Sequence, residues 1–232
     1  MSVAWETFVD KFINQGGYKL TLTGLTNTAL IAVFGLLIGF LLGSIIAVVK
    51  LVPSKSIVTN ILKKICDVYV AIFRGTPMVV QLLLLHFALF PAMGIILDDV
   101  IEASLIFGLN SASYISEIMR GGINSVDKGQ MEAGRSLGFN YTQTMVRIII
   151  PQAFKNILPT MGNEFIALIK ETSVLSLIAV TDLTKSFKAI AESTYEYFIP
   201  YIMLAITYFV IVYLISLLVK FMERRMMAGD RK

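Results

Sequence analysis

Three stretches of the chain run for the width of a bilayer with no charged side chain. Residues 20–49 and 197–219 hold none, and residues 75–97 hold none beyond a charge on His86 when it is protonated. Each reaches the roughly 20 apolar residues a helix needs to cross the hydrocarbon layer. The runs are continuous, whereas strands of a membrane barrel would alternate in character and need only about 10 residues. The pattern therefore predicts an all-α integral membrane protein. Two further apolar stretches, at about 96–119 and 150–178, complete a set of five transmembrane helices at about 20–49, 74–92, 96–119, 150–178 and 197–220. The fourth is interrupted by Pro159, Glu164, Lys170 and Glu171. The first run starts near residue 20, lacks a basic leader and is too long for a signal-peptide core, so it is expected to remain as a span.

Helical periodicity marks two amphipathic segments outside the spans. Trp5, Phe8, Val9, Phe12 and Ile13 recur at helical spacing, which predicts an outer interfacial helix within 1–19. Val58, Ile61, Leu62, Ile65, Tyr69 and Ile72 form a similar stripe, which predicts a surface helix over 57–73 on the cytoplasmic side. Arg74-Gly75-Thr76-Pro77 then breaks the helix and starts the next crossing, since proline suits a first helical turn. Gly35, Gly39 and Gly43 lie on one face of the first span and predict close backbone approach to another helix, in this chain or a partner.

Charge sets the orientation. Only 16% of residues are charged against 56% hydrophobic, and the net charge of +4 comes from basic loops. Segments 50–64 and 120–147 and the C-terminal tail hold thirteen lysines and arginines, whereas the alternate loops hold four, namely Lys11, Lys19, Lys185 and Lys188. The positive-inside rule then puts the N-terminus outside and the C-terminus in the cytoplasm, which an odd number of spans satisfies. The acidic loop with Asp98, Asp99 and Glu102 falls outside, in agreement. The organisation expected is an interfacial helix over 1–19, a transmembrane domain over 20–220 with a cytoplasmic loop at about 120–147, and a basic cytoplasmic tail over 221–232.

Enzyme motifs are lacking. The sequence has no G-x-x-x-x-G-K-[ST], G-x-S-x-G or H-E-x-x-H. One histidine and the single Cys66 make a zinc site improbable and an internal disulfide impossible. Two halves of similar pattern, as in many secondary carriers, are not visible. Basic loops on a membrane protein point to topology and not to nucleic acid.

The loop at 127–139, Asp-Lys-Gly-Gln-Met-Glu-Ala-Gly-Arg-Ser-Leu-Gly-Phe, is unusually polar for its surroundings. Glu132-Ala133-Gly134 is followed after three residues by Gly138, after nine more by Ile148, and then by Ile150-Pro151. This closely resembles the E-A-A–x3–G–x9–I–x–L–P signature of ABC importer permease subunits, with Gly134 where alanine is usual and Ile150 where leucine is usual. The segments around Phe73–Leu89, Ser111–Gly134 and Asn163–Val180 resemble the permeases that import polar amino acids, of the glutamine, histidine and arginine type. The resemblance covers almost all of the chain after residue 20.

The resemblance implies a type I importer permease fold and a specific set of partners. Gln130 to Leu137 would form a short coupling helix that docks on a separate ATPase subunit through Glu132, Ala133, Gly134, Arg135 and Gly138. Two ATPase subunits would bind ATP and Mg²⁺, leaving this chain without a cofactor of its own. The chain would pair as a homodimer or with a homologous permease, and an extracytoplasmic binding protein would deliver the amino acid. It would sit as a multi-pass protein in a bacterial inner membrane. The alternative within transporters is an ABC permease for an opine, cystine or a small peptide, or less favourably a secondary carrier. Outside them it is a membrane scaffold or receptor.

Ionisable residues inside a membrane usually face an interior or a water-filled path. Thr160, Glu164, Ala167 and Glu171 share one face of the fourth span, with Asn163 and Lys170 on an adjacent face. A zwitterion needs acceptors for its ammonium, supplied here by Glu164 or Glu171, and donors for its carboxylate, supplied by Lys170, Thr172 or Ser173. Lys170 and Glu171 have a second reading, at the outer interface or paired across a dimer. Gln81 and Thr76 are further path candidates. His86 is expected to be packed or hydrogen-bonded, and Glu117 and Arg120 to pair three residues apart in a structural or gating role.

Overall fold

The longest helix, α2 (Gly17–Leu51), carries a stripe of small residues along its length. Gly24, Thr28, Ala32, Gly35, Gly39, Gly43 and Ala47 recur about every fourth position and are buried. That stripe lets its backbone approach α6 (Asp99–Asn124) closely. A Cβ on Gly39 would meet Ser111 Cβ at 2.8 Å, and one on Gly43 would meet the Ala112 carbonyl at 2.9 Å. The partner left open by the glycine row is therefore in the same chain. The opposite face of α2 is exposed and apolar, with Leu41, Ile45 and Val48 all more than half exposed. In a water-soluble protein such a face would be a liability, but against lipid tails it is neutral.

In this computed structural model, described for residues 2–53, 56–178 and 180–227, every regular element is a helix or helical turn. The basic residues Lys55, Arg231 and Lys232 of the expected cytoplasmic loops, and residues 228–232 of the basic tail, lie outside the described residues. The remaining elements in chain order are α1 (Ser2–Val9), α3 (Ile57–Gly75), α4 (Met78–Leu84), α5 (Phe90–Ala92), α7 (Lys128–Ser136), α8 (Tyr141–Thr144), α9 (Ile150–Glu171), α10 (Leu183–Thr194) and α11 (Phe198–Met227). Wide π-type turns join α4 to α5 and α8 to α9, and a tight 3₁₀ stretch, Thr172–Leu177, continues α9. The core lies between α2, α6 and α9, around Ile31, Leu82, Ile106, Phe107, Leu168 and Leu175.

Among the described residues, two helices, α2 and α11, are long and apolar enough to cross a membrane, and there is a third crossing if the bent pair α3 and α4–α5 is one span. The sequence predicts five. The difference has a physical source: α6 gives interior positions to polar side chains, whereas α9 buries apolar residues and carries Asn156, Thr160, Asn163 and Lys170 on its exposed positions. Asn110, Ser111, Ser113 and Ser116 of α6 are buried. Their polar groups bond backbone carbonyls or neighbouring side chains, as with Ser113 to Asn110 O at 2.7 Å and Ser116 to Ser113 O at 2.8 Å.

The surface helix expected over 57–73 runs two residues further, and the break falls at Thr76-Pro77 with α3 and the next helix at 108°. Proline forces the residue before it out of the helical region, and Thr76 is extended at φ −121°. The loop expected between the fourth and fifth spans is instead a helix, α10. Asp182 caps it, accepting from Thr184 N at 2.9 Å and Lys185 N at 2.8 Å. It is pinned to the start of α2 by Asn27 donating to Thr181 O at 2.8 Å and Ser186 donating to Leu20 O at 3.0 Å. Phe8 and Phe12 of the N-terminal segment close this end against Phe187.

Candidate functional site

The polar loop between α6 and α9 folds into a capped helix. Asp127 caps the start of α7 by accepting from Gly129 N at 2.7 Å. The end closes with a paired pattern: Phe139 N donates to Gly134 O at 3.1 Å and Gly138 N to Arg135 O at 3.0 Å. That closure needs a residue with positive φ, and Gly138 supplies it at φ +85°. Glu132, Ala133 and Arg135 are exposed or half-exposed, whereas Gly134 is buried against Thr144 and Ile148. Beside them stands Leu137, 75% exposed, a position for which the signature carries no letter.

The path candidates separate into groups. Glu164 of α9 faces α6, where its Oε1 accepts from the buried Ser111 hydroxyl at 2.9 Å. Thr76 sits in the bend between α3 and α4, and Gln81, inside α4, reaches back to it. The Gln81 amide donates to Phe73 O at 2.7 Å and to Thr76 O at 3.0 Å, and its carbonyl accepts from Asn110 at 2.8 Å. Thr76 donates to Ile72 O at 2.8 Å. Both therefore brace the bend. Thr172 is fully buried and donates to Ile169 O at 2.7 Å. Ser173 accepts on its carbonyl from Ser176 at 2.9 Å. Lys170 is exposed and Glu171 half-buried. Asn163 opens instead, with Asn156 and Thr160, onto a polar cleft whose other wall is Ser216, Lys220 and Glu223 of α11.

A charge cluster joins three helices where α2 ends. Glu117 accepts from Lys50 at 2.9 Å and from Arg120 at 2.6 Å, and Lys50 also meets Asp67 of α3 at 2.9 Å. Arg74 lies over the Tyr114 ring at 5.4 Å. The Glu117–Arg120 pair is visible in the sequence as an i, i+3 spacing. Lys50 and Asp67 are not, because their partners are distant along the chain. At the other end of the core, His86 Nδ1 and Glu102 Oε1 are 2.8 Å apart, a hydrogen bond that ties α4–α5 to α6.

The sequence profile of binding-protein-dependent transport system inner membrane components matches residues 39–228. The chain belongs to this family. Among its relatives, this permease-family chain is 37% identical to the arginine transport system permease protein ArtQ of Bacillus subtilis, over 90% of its own length and 93% of that protein. It is 40% identical to the L-cystine transport system permease protein TcyB of the same organism, over 82% of its length and 81% of that protein. A crystal structure of an amino acid ABC transporter with histidines matches it at 39% identity and a TM-score of 0.83, covering 92% of this chain and 98% of that one. An inward-facing structure of the MetNI methionine ABC transporter, at 16% identity and a TM-score of 0.76, shares the fold and covers 89% of this chain and 96% of that one.

Proposed function

We propose that the chain is the membrane-spanning subunit of an ATP-driven importer of polar amino acids. One observation carries this reading: the similarity to permease proteins of named amino acid transport systems runs nearly end to end, over 90% of this chain for ArtQ. In this reading α2, α4–α5, α6, α9 with its 3₁₀ extension, and α11 cross a bacterial inner membrane, with the N-terminus outside. The outward face of α7, with Glu132, Ala133, Arg135 and Leu137, docks on one of two separate ATPase subunits, which hold ATP and Mg²⁺. Two copies, or one copy and a homologous permease, enclose the path, and an extracytoplasmic binding protein delivers the solute. Closure of the ATPases draws the α7 helices together, and the spans rock between inward-open and outward-open states. Glu164 and Asn163, with Lys170, Glu171, Thr172, Ser173, Gln81 and Thr76 as further candidates, contribute to the path.

The test is to purify the chain with its ATPase and binding protein, reconstitute them, and measure ATP hydrolysis against a panel of amino acids. Stimulation by arginine, histidine or glutamine is the expected result. A second reading, a cystine importer, rests on the 40% identity to TcyB and would be chosen by stimulation with cystine alone. Uptake driven by an ion gradient without ATPase would overturn both. Glu164→Ala is expected to weaken uptake or change the solute preference while the complex still assembles. Unchanged uptake kinetics would remove Glu164 from the path.

A further inference from the structure

Gly134 is the coupling candidate that turns away from the exposed face of α7, and it does so at a distance only glycine allows. A Cβ there would lie 2.5 Å from Thr144 Cγ2, 2.9 Å from Thr144 Oγ1 and 3.1 Å from Ile148 Cδ1. Thr144 has little freedom to retreat. It is fully buried. Its hydroxyl donates to Asn140 O at 3.0 Å, and Asn140 is itself held in a reciprocal cap with Gln143. A β-branched side chain is also stiff at χ1. Arg147 over the Phe139 ring at 5.6 Å adds a second contact across the same seam. Thr144 leads directly into the wide turn Met145–Ile149 and then into α9, the helix that carries Glu164.

We propose that the Gly134–Thr144 contact is the joint that positions α7 on the foot of α9, so that displacement of α7 is passed to the spans without slack. This rests on the reading that α7 docks on an ATPase subunit. Close-packed interiors transmit displacement because they have little room to compress. Neither residue touches solute or nucleotide; both are positioning residues. Glycine at 134, where the resembled signature has alanine, is then the complement of threonine at 144.

The experiment uses the reconstituted complex with its ATPase and binding protein, and reads the number of solute molecules taken up per ATP hydrolysed. A residue that serves only stability changes the amount of complex and not this ratio. Gly134→Ala is expected to lower the ratio at least about threefold while the ATPase still co-purifies. Thr144→Ser deletes Cγ2, the nearest of the atoms that would crowd the new methyl, and keeps the hydroxyl bonded to Asn140, while the lost branch frees χ1 so that the remaining Oγ contact at 2.9 Å can relax. Added to Gly134→Ala, it is expected to return the ratio to within about twofold of the unaltered complex. If Gly134→Ala prevents assembly, Thr144→Ala, which opens a gap behind the glycine, is expected to lower the ratio in complex that does assemble. An unchanged ratio in Gly134→Ala, a loss that Thr144→Ser fails to relieve, or an unchanged ratio in Thr144→Ala when Gly134→Ala does not assemble overturns the proposal. An unaltered complex that fails to co-purify an ATPase overturns the reading of α7 itself, and is distinguished from these outcomes before any variant is made.

Discussion

Gly138 and Glu117, on either side of the turn between α6 and α7, do different physical work. Gly138 has no atom within 4 Å of where its Cβ would be, so its requirement is conformational and not steric. At φ +85° a β-branched residue is strongly disfavoured, while asparagine is among the better-tolerated non-glycine residues. Gly138→Val should therefore unwind the last turn of α7, at about 1–2 kcal/mol, and lower uptake while leaving insertion intact. Gly138→Asn should retain most of the activity. Comparing uptake for the two variants at equal membrane amounts checks this, and equal losses would point to side-chain bulk. Glu117 is a case of charge compensation. It is the acceptor for both Lys50 and Arg120, and its side chain is only 18% exposed. Glu117→Ala removes the shared partner of two cations and should cost about 1–3 kcal/mol, between the surface and buried limits. Glu117→Gln keeps acceptor capacity and should cost less. A thermal unfolding series in detergent would read both, as a larger drop in Tm for the alanine variant.

Among the elements, the α2–α6 pair is the joint on which the core depends. Every fourth residue of α2 along the contact is small, and Gly39 meets Ser111 at a distance that leaves no room for a side chain. Gly39→Leu should force the helices apart, by more than the roughly 1–3 kcal/mol typical of overpacking because backbone and not only side chains must move. The expected readout is loss of the folded species in size-exclusion chromatography, with Leu37→Ala on the exposed face as the neutral control. This pairing is half legible in the sequence: the glycine spacing announces a close contact, but nothing local names α6 as the partner. The long apolar runs, the break at Arg74–Pro77 and the capped α7 are legible because each is set by neighbours along the chain. The helix α10 is not, although Leu183, Phe187, Ile190 and Ala191 carry a helical period and Asp182 a cap. It is short and polar on one face, and between two long apolar runs such a segment reads as a loop. The hydrogen bonds of Gln81 are not legible either. Its partners Phe73, Thr76 and Asn110 are brought to it only by the bend and by α6.

At the scale of the whole molecule, α2 serves as a ruler. Its 35 residues span about 52 Å at 1.5 Å per residue, well beyond the roughly 30 Å of hydrocarbon. One end carries α10, held at Leu20 and Asn27. The other meets the α7–α8 segment, where the Tyr141 hydroxyl donates to Leu51 O at 3.4 Å. If the helix crosses the bilayer, the two attachments must lie on opposite sides. Tyr195, 87% exposed just after α10, and Glu132 on the outward face of α7 are then probes for the two compartments. Cys66 is the only native thiol, so Cys66→Ser gives a clean background. In it, with the chain produced without ATPase subunits so that the α7 face is uncovered, Tyr195→Cys should react with a membrane-impermeant maleimide in intact cells, and Glu132→Cys only after the membrane is opened. The lysine and arginine excess on the α7 side argues for that orientation and against its reverse. Labelling of both thiols in intact cells would mean that α2 does not cross. Labelling of Glu132→Cys alone would invert the topology and place α7 on the side where no ATP-hydrolysing partner could reach it.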